Sequence, residues 1–422
     1  MANTSLVYNW QKLIAGCVFG NVLVYYDFIL YGYFSHIIAK LFFPTTSQFV
    51  SLLLTFSVFA SGCLMRPIGA VVFGHVGDRY GRKIALLVSI SCLTIFTTLM
   101  GLIPSYQMVG FWAPLLLLLC RLLQGAAISG EEMSAVIYLA ENAPLQKRAF
   151  VSAIISSSVY FGLLVGSVIA FITLTLIPTD SIATWGWRVP FLFSFVLGVI
   201  ALIIRSQQAD TLEFAKLKEQ HALLNNPVLT LLKQHFPALL YTIALCSLLS
   251  VAVYLFAVYI PTALNVNLGI DLKSSMLICS AGFLLLSSLI LVIGWLTDKI
   301  GSRWPLLISS IGFIVFAYPI FILLNQKSIP LILLADFIMV FFLSLTAGSL
   351  LPILVNIFPA QVRSAGGNIA FNISMTLFGS TAPIIALCFT RLFHSATAPA
   401  IYLIFAATLA LVCLLFFKPV NA

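Results

Sequence analysis

The chain has 422 residues, 61% of them hydrophobic and only 8% charged, with a formal net charge of +9. Soluble domains carry about 25% charged residues, so these are too few to cover a water-facing surface, and a mean hydropathy of +1.12 excludes a soluble enzyme or nucleic-acid-binding domain. Long, unbroken apolar runs also exclude a transmembrane β-barrel, whose strands alternate over about ten residues.

A membrane-crossing helix needs about 20 apolar residues. Such runs are predicted at 14–38, 50–73, 84–103, 112–140, 150–177, 189–204, 237–264, 275–297, 305–324, 330–355, 365–390 and 397–417. The expected fold is an all-α integral membrane protein of twelve spans, with no room for a separate soluble domain. The first span has no cleavage site after it and is expected to stay in the mature protein. An even number of spans places both termini on one side, and Lys and Arg decide which. Of the 21 Lys and Arg, fourteen fall on the side of the termini, Lys418 being the last of them. Five fall on the other side (Lys40, Arg188, Lys273, Lys327 and Arg391), and Arg66 and Arg121 lie within spans. Cytoplasmic termini are therefore expected. Trp10, Trp112, Trp185, Trp187, Trp295 and Trp304 all fall near span ends, as an interfacial belt requires. The eight cysteines sit inside apolar runs without Cys-x-x-Cys spacing and read as small buried hydrophobes, so no metal is expected. Without a Gly-x-x-x-x-Gly-Lys-Ser/Thr loop, no nucleotide or other cofactor is expected either.

Taken in chain order, the first span carries Asp27 about 20 Å along its axis, near the midplane, and Tyr31 one turn further on the same face. An ionisable group at this depth costs several kcal/mol unless paired or wet, so it is a functional candidate. Tyr25, Tyr26, Tyr31 and Tyr33 read mainly as packing, with an aromatic cage for a quaternary ammonium as the alternative. Arg66 in span two is placed to snorkel to the cytoplasmic surface or to act in function, with equal weight. In span four, Arg121 and Glu132 share a face about 16 Å apart, with Gln124 one turn from the arginine and Glu131 turned away by about 80°. Arg121 would hold an anionic group while a carboxylate takes and gives a proton. The competing reading is a closed Arg–Glu pair with a neighbouring span, which leaves one acid over. His36, His75, His221, His235 and His394 all fall in loops or at span ends, so any proton relay at the midplane would rest on Asp27, Glu131 and Glu132, whose pKa values burial can raise.

The longest hydrophilic stretch begins at Arg205. Asp210 and Glu213 have capping-box spacing before Leu212-Glu-Phe-Ala-Lys-Leu-Lys, which predicts a short amphipathic helix on the cytoplasmic membrane surface. The chain thus divides into a six-helix bundle (1–204), a cytoplasmic linker (205–236) and a second six-helix bundle (237–422). An internal repeat supports the division. Gly74-His-Val-Gly-Asp78-Arg79-Tyr-Gly81-Arg82-Lys83 follows span two, and Gly294-Trp-Leu-Thr-Asp298-Lys299-Ile-Gly301-Ser-Arg303 follows span eight. Pro144-Leu-Gln-Lys-Arg148 and Pro359-Ala-Gln-Val-Arg363 follow spans four and ten. The glycines allow tight turns, and Asp78 is suited to accept hydrogen bonds from a helix N-terminus across the bundle interface. Arg79, Arg82 and Glu141 are placed for an ion-pair network. Asp336 in span ten reads as hydrated near the outer surface. In span eleven, Asn368, Asn372 and Thr376 recur every four residues, as substrate hydrogen-bonders or as glue between helices.

The motif from Gly74 to Lys83 resembles the loop signature of the major facilitator superfamily, and its weaker second copy is similar. Tyr26-Asp27-Phe-Ile-Leu-Tyr31-Gly32, Arg121-Leu-Leu-Gln124-Gly125, Gly186-Trp-Arg188-Val-Pro-Phe and Arg363-Ser-Ala-Gly366 resemble the metabolite:proton symporter branch, whose members carry proline/betaine, citrate, α-ketoglutarate and shikimate. Where that branch has Gly-Gly-Glu-Trp, this chain has Ser129-Gly130-Glu131-Glu132. The resemblance implies that Arg121 takes part in proton coupling, and that Asp78, Arg79, Arg82, Glu141, Asp298 and Arg363 latch the cytoplasmic side. The expectation is a transporter, not an enzyme. It is a proton symporter for a small carboxylate or zwitterion, with Tyr31, Arg121, Gln124, Asn368, Asn372 and Thr376 at the substrate, acting as a monomer in a bacterial inner membrane. A proton-driven exporter of the same superfamily is the alternative. Against it, span five reads Tyr160-Phe-Gly162-Leu-Leu-Val-Gly166 without the Gly-Pro of such exporters.

Overall fold

The computed structural model describes residues 10–416 except 46, 271 and 327. Lys327 and Lys418, counted above, lie outside the described residues, as do the side chains of Trp10 and Lys273. Among the described residues, twelve helices are long and apolar enough to cross a membrane. They are α1 (Gln11–Tyr33), α2 (Val50–Arg79), α3 (Arg82–Leu102), α4 (Trp112–Asn142), α5 (Leu145–Leu176), α6 (Ile182–Ser206), α7 (Phe236–Leu264), α8 (Leu277–Ile300), α9 (Arg303–Leu324), α10 (Ile329–Ile357), α11 (Arg363–Leu392) and α12 (Pro399–Phe416). In lipid a backbone must satisfy its own N–H and C=O groups, which is why long apolar runs settle as helices.

The helices form two six-helix halves, α1–α6 and α7–α12, joined mainly by α2 against α11 and α5 against α8. Small residues allow these approaches. A Cβ on Gly74 would stand 2.7 Å from the Ala365 Cα, and the equivalent Gly294 lies against Ala149 and Ala153 of α5. The turn from α2 to α3 passes through Gly81 at φ +123°, and the turn from α8 to α9 through Gly301 at φ +84°, backbone values that favour glycine.

Helix α4 is broken. Its first segment, Trp112–Ile128, ends before a second begins at Glu132 and runs to Asn142. Discontinuous spans of this kind are a known way to place polar groups at the midplane. Short π-helical turns at Leu255–Tyr259 in α7 and Met375–Gly379 in α11 lie opposite the break, around the same central space.

Two local expectations change. Trp187 is buried against Phe42 and Phe191 and does not belong to the interfacial belt, whereas Trp112, Trp185, Trp295 and Trp304 are exposed. The linker helix Leu212–Glu219 is capped by Thr211, whose side chain accepts from the Phe214 N–H, and not by Asp210. That helix is tucked under the bundle with Phe214 buried. A second linker helix, Pro227–Gln234, is capped by Asn226.

Candidate functional site

Asp27 of α1 meets Arg121 and Gln124 of α4. Its Oδ2 lies 3.1 Å from the Arg121 Nη1 and accepts from the Gln124 Nε2 at 2.7 Å, while Oδ1 is buried without a partner among the described residues. Gln124 also donates to the Thr97 hydroxyl at 2.6 Å and accepts from the Arg121 Nη1 at 2.6 Å. The guanidinium lies 3.9 Å above the Tyr31 ring, and the Tyr31 hydroxyl donates to the Thr55 carbonyl. Among the described residues, Arg121 Nε and Nη2 have no hydrogen-bond partner. The pair rests on one ionic contact with unused capacity on both sides.

The break in α4 sends the two consecutive glutamates in different directions. Glu131 turns toward α6 and binds both terminal nitrogens of Arg205, at 2.8 Å for Nη1, and also accepts from the Ser89 hydroxyl at 3.0 Å. Arg205 donates further to the carbonyls of Gly16 and Leu86. Glu132 turns into the central space between the halves, where it accepts from the Tyr25 hydroxyl. The closed Arg–Glu pair considered for span four therefore exists, but its arginine is Arg205, which charge counting assigned to the cytoplasmic surface. Glu131 is the signal that could have found it: a buried acid needs a cation within reach.

The central cavity has a volume of about 40 Å³, room for a few waters. Tyr25, Phe28, Arg66, Glu132, Tyr160 and Tyr254 are among its lining. A second lobe of about 30 Å³ shares Tyr25, Phe28 and Arg66 with it and reaches Arg121 and Gln124. Arg66 does not snorkel. It is 6% exposed because α2 continues thirteen residues beyond it, about 20 Å of helix, too far for its side chain to reach the surface. Its Nε donates to Asn372 at 2.9 Å. The sequence left Arg66 open between snorkelling and function and offered Tyr25 as part of an alternative aromatic cage, but the place of Tyr254 in the cavity lining could not be read from spacing within one helix.

The polar row of α11 cross-links the halves. Asn368 donates to the Ser134 hydroxyl at 3.0 Å, Asn372 to the Ser129 carbonyl at 3.1 Å and Thr376 to the Cys63 carbonyl at 3.1 Å. Asp336 is 5% exposed, packed beside Gly282 and Phe256, and so is not hydrated at the surface.

On the side of the linker, Asp78 accepts from the backbone N–H groups of Ser364 at 3.0 Å and Ala365 at 2.8 Å, at the start of α11. Asp298 repeats this with Ala149 and Phe150, at the start of α5. Around Asp78, Arg82 contacts Glu141 at 3.3 Å and donates to the Ala360 carbonyl of the other half. Arg363 meets Glu141 at 2.9 Å. Glu213 of the linker pairs with both Arg148 and Arg363, and Thr211 donates to Glu141. Arg79 stands apart from this cluster and donates to the Asn225 carbonyl of the linker. Asp210 accepts from the N–H groups of Arg82 and Lys83 at the start of α3. Burial pushes its carboxyl above the usual range, against these hydrogen bonds.

Comparison with known proteins agrees with this architecture. The family model described as Major Facilitator Superfamily matches residues 17–373 and again 250–422. The citrate-proton symporter of Klebsiella pneumoniae is 33% identical over 92% of this chain and 87% of its own length. The proline/betaine transporter of Escherichia coli K12 is 31% identical over 95% of this chain and 82% of its own. The proton:xylose symporter XylE, bound to 6-bromo-6-deoxy-D-glucose, superposes with a TM-score of 0.79 at 16% identity, covering 98% of this chain and 96% of the other. These relatives are transporters and not enzymes. The chain is a multi-pass membrane protein, and with its family match and its relatives spanning nearly its whole length it belongs to the major facilitator superfamily of membrane transporters.

Proposed function

We propose that this transporter is a proton-coupled symporter that takes up a small carboxylate or zwitterion, working as a monomer in a bacterial inner membrane with both termini cytoplasmic. The observation that carries the coupling is the Asp27–Arg121 pair. Its carboxylate has one oxygen engaged and one buried without a partner, and its arginine borders the lobe that shares Arg66 with the central cavity. A proton on Oδ1 breaks no hydrogen bond and cancels the attraction that holds Arg121. Loss of that proton to the other side restores the pair. Glu131, saturated by Arg205 and Ser89, has no comparable freedom, which leaves Asp27 and Glu132 of the three acids. Asp27 is taken as the proton site because it is the one paired with a cation it can release.

Alternating access follows from the two halves, 1–204 and 237–422, rocking about the cavity while the linker 205–236 spans them. The matched Asp78 and Asp298 bonds, with the Arg82, Glu141 and Arg363 cluster, act as the latch of the linker side. Asn368, Asn372 and Thr376 tie α11 to α2 and α4 in this closed arrangement. One proton moving through about 150 mV supplies about 3.5 kcal/mol, enough for roughly 300-fold accumulation of a neutral solute.

Proteoliposomes test the reading. An imposed inward proton gradient should drive uptake, and a protonophore should abolish it. Uptake that requires sodium and ignores the proton gradient overturns the coupling assignment.

A further inference from the structure

We infer that Arg66 and Glu132 are the two poles of the substrate site, and that they select a zwitterion: a carboxylate at Arg66 and a cationic amine at Glu132. This rests on the transport reading above and sharpens it. Arg66 comes from α2 and Glu132 from α4, and both line the same central cavity. Among the described residues they form no ion pair with each other, although each is more than nine-tenths buried.

The arginine end is incomplete as the protein stands. Nε is taken by Asn372, but among the described residues the buried terminal Nη2 has no hydrogen-bond partner. A buried donor of that kind costs free energy until something accepts from it, and a guanidinium fork matches the geometry of a carboxylate. Of the two arginines near the cavity, Arg121 is engaged by Asp27, whereas Arg66 makes no salt bridge among the described residues.

The Glu132 side of the cavity suits positive charge. Glu132 stands at the first turn of the half-helix Glu132–Asn142, where the helix dipole favours the ionised carboxylate. Tyr25 holds one of its oxygens, and no described residue bonds the other. Tyr25, Phe28, Tyr160 and Tyr254 surround the space, and Phe28 meets Tyr254 edge-on at 6.2 Å across the two halves. Aromatic rings beside a carboxylate form a setting for an alkylated ammonium.

The net charge of the two poles is zero. A zwitterion leaves it zero, whereas a tricarboxylate sets three negative charges against one guanidinium and adds repulsion from Glu132. The site therefore resolves a choice that the family leaves open.

The test is equilibrium binding to the purified full-length chain in detergent, without any proton gradient. Its outcome thus does not depend on whether Asp27 couples transport. The probes are glycine betaine, L-proline, citrate and 3,3-dimethylbutanoate, the last having the shape of betaine with the positive nitrogen replaced by carbon. The parent protein should bind betaine or proline at least tenfold more tightly than dimethylbutanoate or citrate. Glu132→Gln should cut that preference tenfold or more, chiefly by weakening the zwitterion. Arg66→Gln should weaken zwitterion and dimethylbutanoate alike, and Arg66→Lys should recover part of the loss. The inference is overturned if citrate binds the parent as tightly as either zwitterion or if neither zwitterion binds. It is also overturned if folded Glu132→Gln keeps the parent's preference. The ligand series on the parent protein stands even where a variant fails to fold.

Discussion

Two buried ion pairs in the N-terminal half invite comparison. Glu131–Arg205 is saturated: two nitrogens on two oxygens, a serine hydroxyl on the acid and backbone carbonyls on the arginine. Asp27–Arg121 is sparse, with one ionic contact and buried atoms left over on both partners. Both acids sit in the same helical bundle, yet the first pair behaves as a staple among α1, α3, α4 and α6, whereas the second borders the cavity system. Full hydrogen bonding makes an ion pair expensive to open, and incomplete bonding leaves room for a proton. On the proposed reading, what separates the structural pair from the coupling pair is satisfaction of the carboxylate, not depth in the membrane.

The sharpest way to break the comparison is to remove the staple's cation. Arg205→Met leaves Glu131 buried and unpaired and should cost about 3–5 kcal/mol, read as a large fall in thermal stability in detergent and in abundance. Adding Glu131→Leu should restore most of the loss. A single Arg205→Met variant as stable as the parent would show that the pair holds nothing together.

Asp27→Asn should cost less, about 1–3 kcal/mol, because Arg121 keeps the Tyr31 ring and the Gln124 carbonyl as partners. Its main effect should be on transport: proton-driven accumulation lost, substrate exchange between loaded vesicles retained. Exchange and accumulation measured in one preparation decide this. If accumulation survives Asp27→Asn, the sparse pair is as structural as the saturated one.

Smallest should be the latch. Asp78→Asn removes a buried carboxylate from two backbone N–H groups and should slow net transport several-fold, with equilibrium binding changed only a few-fold. Asp298→Asn, at the matching but partly exposed position, should slow it less. Loss of binding in folded Asp78→Asn would place that residue in the site and contradict the latch.

Much of this was legible in sequence. Hydropathy over about 20 residues is local, so all twelve spans could be read, and the repeated Gly-x-x-x-Asp spacing pointed to Asp78 and Asp298 as a matched pair. Asp27 and Arg121 stood out as candidates because midplane charge is costly wherever it occurs, and Gln124 because it lies one turn from Arg121. Arg205 was not, since an arginine at a span end is by default a surface anchor, and only Glu131 from another helix holds it inside. Arg66 was placed too near the end of its helix for a related reason: α2 outlasts its apolar run, so its linker-side end lies beyond the point where hydropathy falls.

The sequence by itself determined that the chain must live in lipid, how many times it crosses and that its halves are related, because these depend on composition, run length and repetition along the chain. Only the tertiary structure decided which acid faces which base. Glu131 and Glu132 are neighbours in sequence, but the ring of Phe73 packed on Gly130 accompanies a break in α4 that turns one toward Arg205 and the other into the cavity. Pairing of charges is a property of helices brought side by side, and no periodicity within a single helix encodes it.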